Sequence, residues 1–223
     1  MRPRSSLHLV LVALIGLSAV AAIPVADARA PPTPVCGVCS VDTTVDGTAV
    51  ASGESALTIK LHENGSTTWV AAVTLTEGGD TVAENESLRR AVVAESVDDG
   101  IATPEYVRSG TDGEVLTVRY RDSSAIERHA GALVFTPLTP EGPDRPFAMG
   151  GEGSRYLAAD RLTVRAPQGY DLHGDADATE SSALVWRNES SDRRSLDVES
   201  DPVAVDADAG APGIRVWVAR LLR

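Results

Sequence analysis

Apolar and polar residues alternate on both sides of one turn signal, and this pattern limits the fold more than any other feature. The stretch 57–61 alternates Leu, Thr, Ile, Lys and Leu, and residues 67–75 resume the alternation after Asn64-Gly65. Successive side chains of a strand point to opposite faces of a sheet, so a period of two predicts half-buried strands. Asn-Gly favours the two central positions of a type I′ turn. We therefore predict a β-hairpin with Trp69 facing the core.

One short helix is predicted directly after this hairpin. The segment Thr81-Val82-Ala83-Glu84 fits a capping box, and apolar residues recur at helical spacing to about Val97. Gly100 is suited to end the helix. Glu86 and Arg90 are spaced for an ion pair between successive helical turns.

Short strands separated by turn residues fill the rest of the chain. The predicted strands are 106–108, 114–121, 133–135, 161–165, 184–186, 196–198 and 214–218, with an Asp112-Gly113 turn between the first two. Frequent short strands with turn residues between them favour antiparallel pairing. The predicted fold class is mainly β: an antiparallel β-sandwich or partly open barrel with one short helix after the first hairpin.

The first 30 residues have the form of a signal peptide. Arg2 and Arg4 precede an apolar run over residues 9–22, and Ala28-Arg29-Ala30 supplies the small-x-small pattern that a signal peptidase cleaves. The alternative is an uncleaved anchor helix, because the apolar stretch is almost long enough to span a bilayer. We predict cleavage after Ala30, with no membrane helix in the chain afterwards.

Two further segments are expected. Residues 31–54 are interpreted as a flexible, Pro-rich leader that carries Cys36 and Cys39 outside the core. Residues 55–223 are interpreted as the β-rich extracytoplasmic domain.

The charge of the chain is strongly acidic. Lys and Arg number 20 against 32 Asp and Glu, the formal net charge is −12, and Lys60 is the only lysine. Loss of residues 1–30 removes three arginines and one aspartate, which brings the charge to −14. Molar salt screens such self-repulsion because the Debye length shrinks to about 3 Å. We interpret the chain as salt-adapted; the alternative is an acidic extracellular protein without that adaptation. Nucleic acid is not an expected partner.

Cys36 and Cys39 are the only cysteines, and three interpretations compete. Outside the cytoplasm such a pair is usually oxidised, which favours a local structural disulfide. A redox pair needs a thiolate with a lowered pKa at a helix N-terminus. A zinc site needs four ligands, and His62 and His129 are distant in sequence. We expect the disulfide, and we expect the fold to tolerate replacement of both cysteines by serine.

No catalytic motif stands out in the sequence. His62, His129 and His173 lie outside any HExxH-like metal motif, and the serines lack a nucleophile-elbow pattern. A catalytic histidine is kept as an alternative to solvated histidines. No cofactor is predicted.

Acidic and basic clusters give two weaker site hypotheses. One hypothesis is that acidic clusters in the loops bind calcium through their carboxylates; the alternative is that these loops are only solvated. The residues are Asp98, Asp99, Asp171, Asp175, Asp177, Asp201, Asp206 and Asp208. Basic residues alternate with core positions on the predicted strands and are candidates for one sheet face that binds an anionic glycan. The alternative is that they pair with neighbouring carboxylates. The residues are Arg119, Arg121, Arg161, Arg165 and Arg215.

Three N-glycosylation sequons begin at Asn64, Asn85 and Asn188. Asn64 at a turn tip is expected to be the best acceptor. Asn85 is expected to be weaker if the predicted helix includes it.

Two segments carry a resemblance. Leu61-His62-Glu63-Asn64-Gly65-Ser66-Thr67-Thr68-Trp69, with the helix after it, resembles haloarchaeal secreted and membrane-anchored proteins of unknown function. The stretch 160–170, followed by Leu184-Val185-Trp186, is similar to the same group. The resemblance implies a β-rich extracytoplasmic domain over about residues 55–190 and implies no reaction. Such proteins commonly end in a membrane helix, whereas the final apolar stretch here is short and carries three arginines.

Together these features predict a secreted or cell-surface binding module that is not an enzyme. Its partner is expected to be a cell-surface protein or a glycan. The alternative is an extracytoplasmic thiol-disulfide or hydrolytic enzyme. The expected contact surface consists of the tip at Asn64 and the Pro- and Gly-rich loop 138–153, because function concentrates on loops.

Overall fold

The structure is a computed structural model of the 223-residue chain, and it describes residues 31–139, 154–180, 182–188, 194–196, 198 and 200–222. The predicted signal peptide 1–30, its cleavage site and most of the loop 138–153 lie outside the described residues. The described chain is mainly β, with several sheets and a few short helices, and none of these sheets closes into a barrel. The predicted fold class is therefore confirmed as a sandwich-like β fold.

The strands are β1 Thr33–Pro34, β2 Asp42–Val45, β3 Thr48–Leu61, β4 Thr67–Glu77, β5 Glu105–Asp112, β6 Val115–Asp122, β7 Ile126–His129, β8 Ala132–Phe135, β9 Arg155–Leu157, β10 Arg161–Arg165, β11 Tyr170–His173, β12 Ala178–Glu180, β13 Ala183–Arg187, β14 Arg194–Ser195 and β15 Val203–Asp206. The helices are a 3₁₀ turn Val38–Ser40, α1 Gly79–Glu84, α2 Glu86–Asp98 and α3 Pro212–Leu221.

The largest sheet has eight strands. Its order is β12-β13-β10-β3-β4-β6-β5, and β2 pairs with the first part of β3. Its neighbours are antiparallel except for β10 and β3, which run parallel. The predicted hairpin 57–75 forms the centre of this sheet as β3 and β4, because its alternating side chains bury one face.

The turn of this hairpin differs from the predicted type I′ turn. Leu61 pairs with Thr67, and the His62 and Ser66 main chains are hydrogen-bonded at 2.9 Å, so the loop between them has three residues. Of the residues Asn64 and Gly65, only Gly65 has a positive φ, 87°. Asn64 instead accepts hydrogen bonds from the Ser66 N–H and hydroxyl, at 3.1 and 2.7 Å. This local bonding selects the longer turn, in which a single left-handed glycine closes the loop.

A second sheet covers part of the large one. Its order is β11-β15-β8-β7, and a three-stranded sheet β1-β9-β14 completes the described strands. Trp69 of β4 stacks on Tyr120 of β6 with ring centroids 5.7 Å apart, and it contacts Phe135 of β8 at 6.0 Å. Trp69 and Phe135 are fully buried. These aromatic contacts join the two larger sheets through the main core.

The N-terminal segment corrects the predicted leader. Val35, Cys36, Val38, Cys39 and Val41 are all buried members of the main core. Strand β3 also begins at Thr48 and crosses the predicted boundary at residue 54. The prediction that this segment lies outside the core is wrong, because its prolines flank apolar residues that the sheet and α2 bury.

Two helices replace the single helix predicted after the hairpin. Asn85 separates them, and its side chain accepts hydrogen bonds from the Ser87 and Leu88 N–H groups, both at 3.1 Å. Asn85 is thus the N-cap of α2, whereas the predicted capping box at residues 81–84 lies inside α1. The predicted Glu86–Arg90 ion pair is present at 3.6 Å and exposed.

The C-terminal segment is a helix, not the predicted strand 214–218. Pro212 stands in the first turn of α3, where proline is favoured. Val216 and Ala219 pack into a second, smaller core with residues of β8 and β15. The opposite side of α3 leaves Ile214, Trp217 and Leu221 exposed. The helix therefore forms because one of its faces is buried, and this packing is not apparent from residues 214–218 alone.

Candidate functional site

Basic side chains line one face of the large sheet, in a row that crosses four strands. Arg165 of β10 lies opposite Lys60 of β3, Lys60 lies opposite Thr68 of β4, and Thr68 lies opposite Arg121 of β6. Residues directly opposite each other in neighbouring strands point to the same face. Three strand spacings of about 4.8 Å place the ends of this row about 14 Å apart.

A second row on the same face adds further cations. Arg119 lies two residues from Arg121 on β6 and therefore on the same side of the sheet. Arg108 of β5 lies directly opposite Arg119. Arg161 shares the face through β10 but bonds to Glu180 at 3.0 Å, and Glu180 also contacts Arg187 at 3.6 Å. The predicted basic face is thus formed by four of its five arginines, whereas Arg215 lies on α3.

These cations form no ion pair with a described carboxylate, although Glu105 of β5 lies directly opposite Arg121 of β6. Within the described residues no ion pair involves Lys60, Arg108, Arg119, Arg121 or Arg165, and all five are exposed. Like charges directly opposite each other destabilise a sheet, and both Arg165–Lys60 and Arg108–Arg119 are such pairs. Stability alone does not favour this arrangement in a chain of net charge −12. We name Lys60, Arg119, Arg121 and Arg165 the cationic face.

A cleft lies at one end of the cationic face. It has a volume of about 410 Å³ and is lined by Leu61, His62, Glu63, Asn64, Arg121, Pro167 and Gln168. Arg121 donates a hydrogen bond of 2.7 Å to the Ser66 hydroxyl, which connects it to the hairpin loop. His62 Nε2 and Thr68 Oγ1 are hydrogen-bonded at 2.8 Å. The loop and two strands therefore hold an imidazole and a guanidinium at the same opening.

Burial of His62 lowers the pKa of its imidazole, and the positive charges of Arg121, Arg119 and Lys60 lower it further. The three cations therefore create a positive local potential, although the chain as a whole is negative. Arg121 and His62 offer N–H donors to the cleft, and Asn64 and Gln168 offer amide groups. Such a set suits a carboxylate or sulfate with neighbouring hydroxyl groups.

Cys36 and Cys39 form a disulfide with Cα atoms 5.3 Å apart, so the predicted pairing distance is confirmed. Cys36 is only 1% exposed and Cys39 only 3%. A redox pair needs an accessible sulfur. Burial at the 3₁₀ turn favours a structural bond over the redox alternative.

Two other described histidines, His129 and His173, lie on β7 and β11, outside the large sheet. His129 Nε2 contacts the Glu127 carboxylate at 2.9 Å on β7. His173 of β11 has a buried Nε2 without a hydrogen-bond partner in the described part of the chain. No group of three or more His, Cys, Asp or Glu side chains within metal-binding reach occurs among the described residues.

Four of the carboxylates that were candidates for calcium accept hydrogen bonds from other residues of the chain. Asp177 accepts from the Arg187 N–H at 2.7 Å, and Asp206 accepts from the Asp208 N–H at 2.9 Å. Asp175 accepts from the Ser200 hydroxyl at 3.2 Å, and Asp201 accepts from the Thr139 hydroxyl. Asp98 and Asp99 lie at the end of α2.

The three sequons differ in their surroundings. Asn64 is exposed, but its carbonyl oxygen is bonded to Ser66. Asn85 is exposed and caps α2 through its carbonyl oxygen. Asn188 is half-buried, and the other two residues of its sequon lie outside the described residues. Glycosylation of all three stays a prediction.

No family model, curated protein or solved structure matches this chain. Among the residues that the structure covers, no helix has the length and apolar character needed to cross a membrane.

Proposed function

We propose that this chain is an exported, salt-adapted binding domain whose cationic face binds an anionic polysaccharide. The carrying observation is the row Arg165–Lys60–Thr68–Arg121, in which three cations share one sheet face and form no ion pair within the described residues. Opposed like charges cost stability, and a bound polyanion offsets that cost.

The length of the row favours a polymer over a single small anion. Cations spread over about 14 Å contact several anionic groups at once, and linked contacts reinforce one another. In molar salt long-range attraction is screened, so direct contacts carry the affinity. Arginine suits such contacts because its planar fork binds a carboxylate or sulfate through two parallel hydrogen bonds.

Export is supported by the signal-like residues 1–30 and by the disulfide, since disulfides persist in oxidising compartments. Intact-mass analysis of secreted protein is expected to find a chain that begins at Pro31. A chain that retains Met1 in the membrane fraction would contradict cleavage.

The proposed ligand class is tested by calorimetric titration with polygalacturonate and dextran sulfate in molar KCl. Neutral dextran is the control ligand. The variant Lys60→Gln/Arg119→Gln/Arg165→Gln removes three charges from exposed positions, so we expect it to fold and to lose polyanion binding. Arg220→Gln removes an exposed charge from α3 and is the matched control.

Equal binding by the triple variant and the wild-type chain would refute the cationic face as the binding surface. Binding of duplex DNA with the affinity of the polysaccharides would refute the ligand class. Turnover in an esterase, peptidase, glycosidase or disulfide-reductase assay that requires His62 or Cys36 would instead support the enzymatic alternative.

A further inference from the structure

A separate groove runs between α2 and the edge strand β5. Its volume is about 660 Å³. One side consists of the α2 residues Glu86, Arg89, Arg90, Val93, Ala94, Val97 and Asp98, and the other of Pro104, Val107, Arg108 and Ser109. At about 1.5 Å per helical residue, the wall from Glu86 to Asp98 is about 18 Å long, which matches about five extended residues.

The main chain of β5 is open along this groove. Within the described residues β5 pairs only with β6, on its other side. The Leu75 N–H of β4 donates a hydrogen bond of 2.9 Å to the Glu114 carbonyl, directly before β6. The main-chain groups of even-numbered β6 residues therefore bond to β4, and those of odd-numbered β6 residues bond to β5. The even-numbered β6 residues Val118 and Leu116 lie opposite Ser109 and Thr111 of β5. Their N–H and C=O groups therefore point outward, free to accept another strand.

The backbone beside the groove is strained. Tyr106 has a φ of 56° and is 78% exposed, and the β5–β6 register shifts between Glu105 and Arg108. A left-handed conformation is rare for an aromatic residue and is energetically unfavourable. Val107, next in sequence, is also exposed and lines the groove. Strained backbone with exposed apolar side chains is typical of a contact surface.

The net charge of the groove indicates which kind of ligand it favours. Its walls hold three arginines and two carboxylates, so they are net positive in a chain of net charge −12. Glu86 already pairs with Arg90, and Arg108 has no ion pair within the described residues. A second copy of the chain would bring two net positive grooves together, which argues against a dimer at this edge.

We infer that this groove binds an extended acidic peptide segment, which adds to β5 as a further strand. Main-chain bonds to Ser109 and Thr111 align the segment. Its alternate side chains then contact the apolar floor at Val93, Ala94 and Val97. Its carboxylates meet Arg108 at the rim.

The probe is a fluorescent octapeptide of alternating Asp and Val, blocked at both ends, measured by anisotropy with the full chain in molar KCl. We expect saturable binding. A Lys-Val peptide tests charge, and an Asp-Val peptide with alternate N-methylated amides tests strand addition; both are expected to bind at least about tenfold more weakly.

Two variants locate the site. Ala94 is exposed on α2 and lines the groove, so Ala94→Glu is expected to weaken probe binding about tenfold by like-charge repulsion. Ala94→Gln is the uncharged control of similar size and is expected to bind nearly as the wild type does. Ser109→Pro removes an outward N–H while leaving the β5–β6 bonds intact, and it is also expected to weaken binding.

Wild-type affinity in Ala94→Glu, or equal binding of the Lys-Val peptide, would overturn the inference. So would a concentration-dependent dimer that is lost in Ser109→Pro, because a second copy would then occupy the edge. Polysaccharide binding is expected to be unchanged in Ala94→Glu, so failure of this inference and failure of the proposed function give different results.

Discussion

Gly37 lies against the carbonyl of Ser96 near the end of α2, so closely that a Cβ on the glycine would stand 2.0 Å from that oxygen. The same Cβ would lie 3.0 Å from the Gly100 backbone nitrogen. Gly37 is the residue between Cys36 and Val38, so this contact joins the disulfide segment to α2. The N-terminal segment is therefore held by backbone contact as well as by its buried apolar side chains.

Gly37→Ala is expected to destabilise the fold by at least about 1–3 kcal/mol, since the added methyl meets backbone that cannot move aside cheaply. Gly110→Ala is the matched control, because no atom lies within 4 Å of its added Cβ. Denaturant unfolding in molar KCl measures both variants. Equal midpoints would show that the N-terminal segment does not dock on α2.

Replacement of Cys36 and Cys39 is expected to be costly, contrary to the prediction from the sequence. Loop closure over so few residues contributes only about 2 kcal/mol. Two buried serines would add the cost of hydroxyls without partners, about 1–3 kcal/mol each. Cys36→Ser/Cys39→Ser should therefore lower the unfolding midpoint more than Cys36→Ala/Cys39→Ala does. The same midpoint for serine and alanine pairs would mean that the site is open to water.

The sequence predicted the elements whose burial follows a simple period. The central hairpin and β10 carry alternating apolar residues, and β4 and β10 are confirmed within about two residues of their predicted positions, whereas β3 begins at Thr48 and not at Leu57. The 214–218 stretch was predicted as a strand, but tertiary packing of Val216 and Ala219 makes it helical. The short strands β1, β9 and β14 were missed because their pairing depends on partners far along the chain.

The sequence alone predicted only part of the candidate site. Alternation placed Arg119 and Arg121 on one face of a single strand. Their alignment with Lys60 and Arg165 required the strand order β10-β3-β4-β6, including one parallel neighbour. The groove beside β5 depends on how α2 packs, and no local motif encodes that. A register shift at Tyr106 has no simple sequence signal either.

Loss of the Asn85 cap is expected to reduce stability by about 1 kcal/mol in Asn85→Ala. Asn85→Asp keeps an oxygen acceptor for the two N–H groups and should retain most of that stability. Both variants remove the glycosylation acceptor, and Ser87→Ala removes the sequon while leaving the cap residue. Thermal unfolding of the three variants separates the cap from any glycan. Equal loss in Asn85→Ala and Asn85→Asp would contradict a capping role.

Folding is expected to depend on salt because a net charge of −12 destabilises a compact chain unless it is screened. Circular dichroism is expected to show loss of β signal as KCl is lowered from molar concentration to dilute buffer. Sucrose at matched osmolality is the uncharged control and should not restore the signal as salt does. Identical melting in dilute buffer and molar KCl would refute salt adaptation.

Binding of a polyanion is expected to strengthen, through protonation of His62, as the pH falls towards the lowered pKa of this imidazole. In the free protein burial and the nearby cations hold the pKa of this imidazole below 6.5, so it is neutral at pH 7. The folded state then binds fewer protons than the unfolded state. The contribution of neutral His62 to the free energy of unfolding is therefore lost as the pH falls through the lowered pKa. A sulfate in the cleft favours the protonated imidazole and raises its pKa. By linkage, protonation of His62 must then favour binding of the sulfate.

Dextran sulfate, whose charge is constant over this range, is titrated between pH 7.5 and 5.5 against wild-type protein and His62→Gln. Glutamine keeps a hydrogen-bonding partner for Thr68 but does not titrate, so the difference between the two pH profiles isolates the histidine from the many carboxylates. Parallel profiles for the two proteins would show that the anion does not enter the cleft at His62.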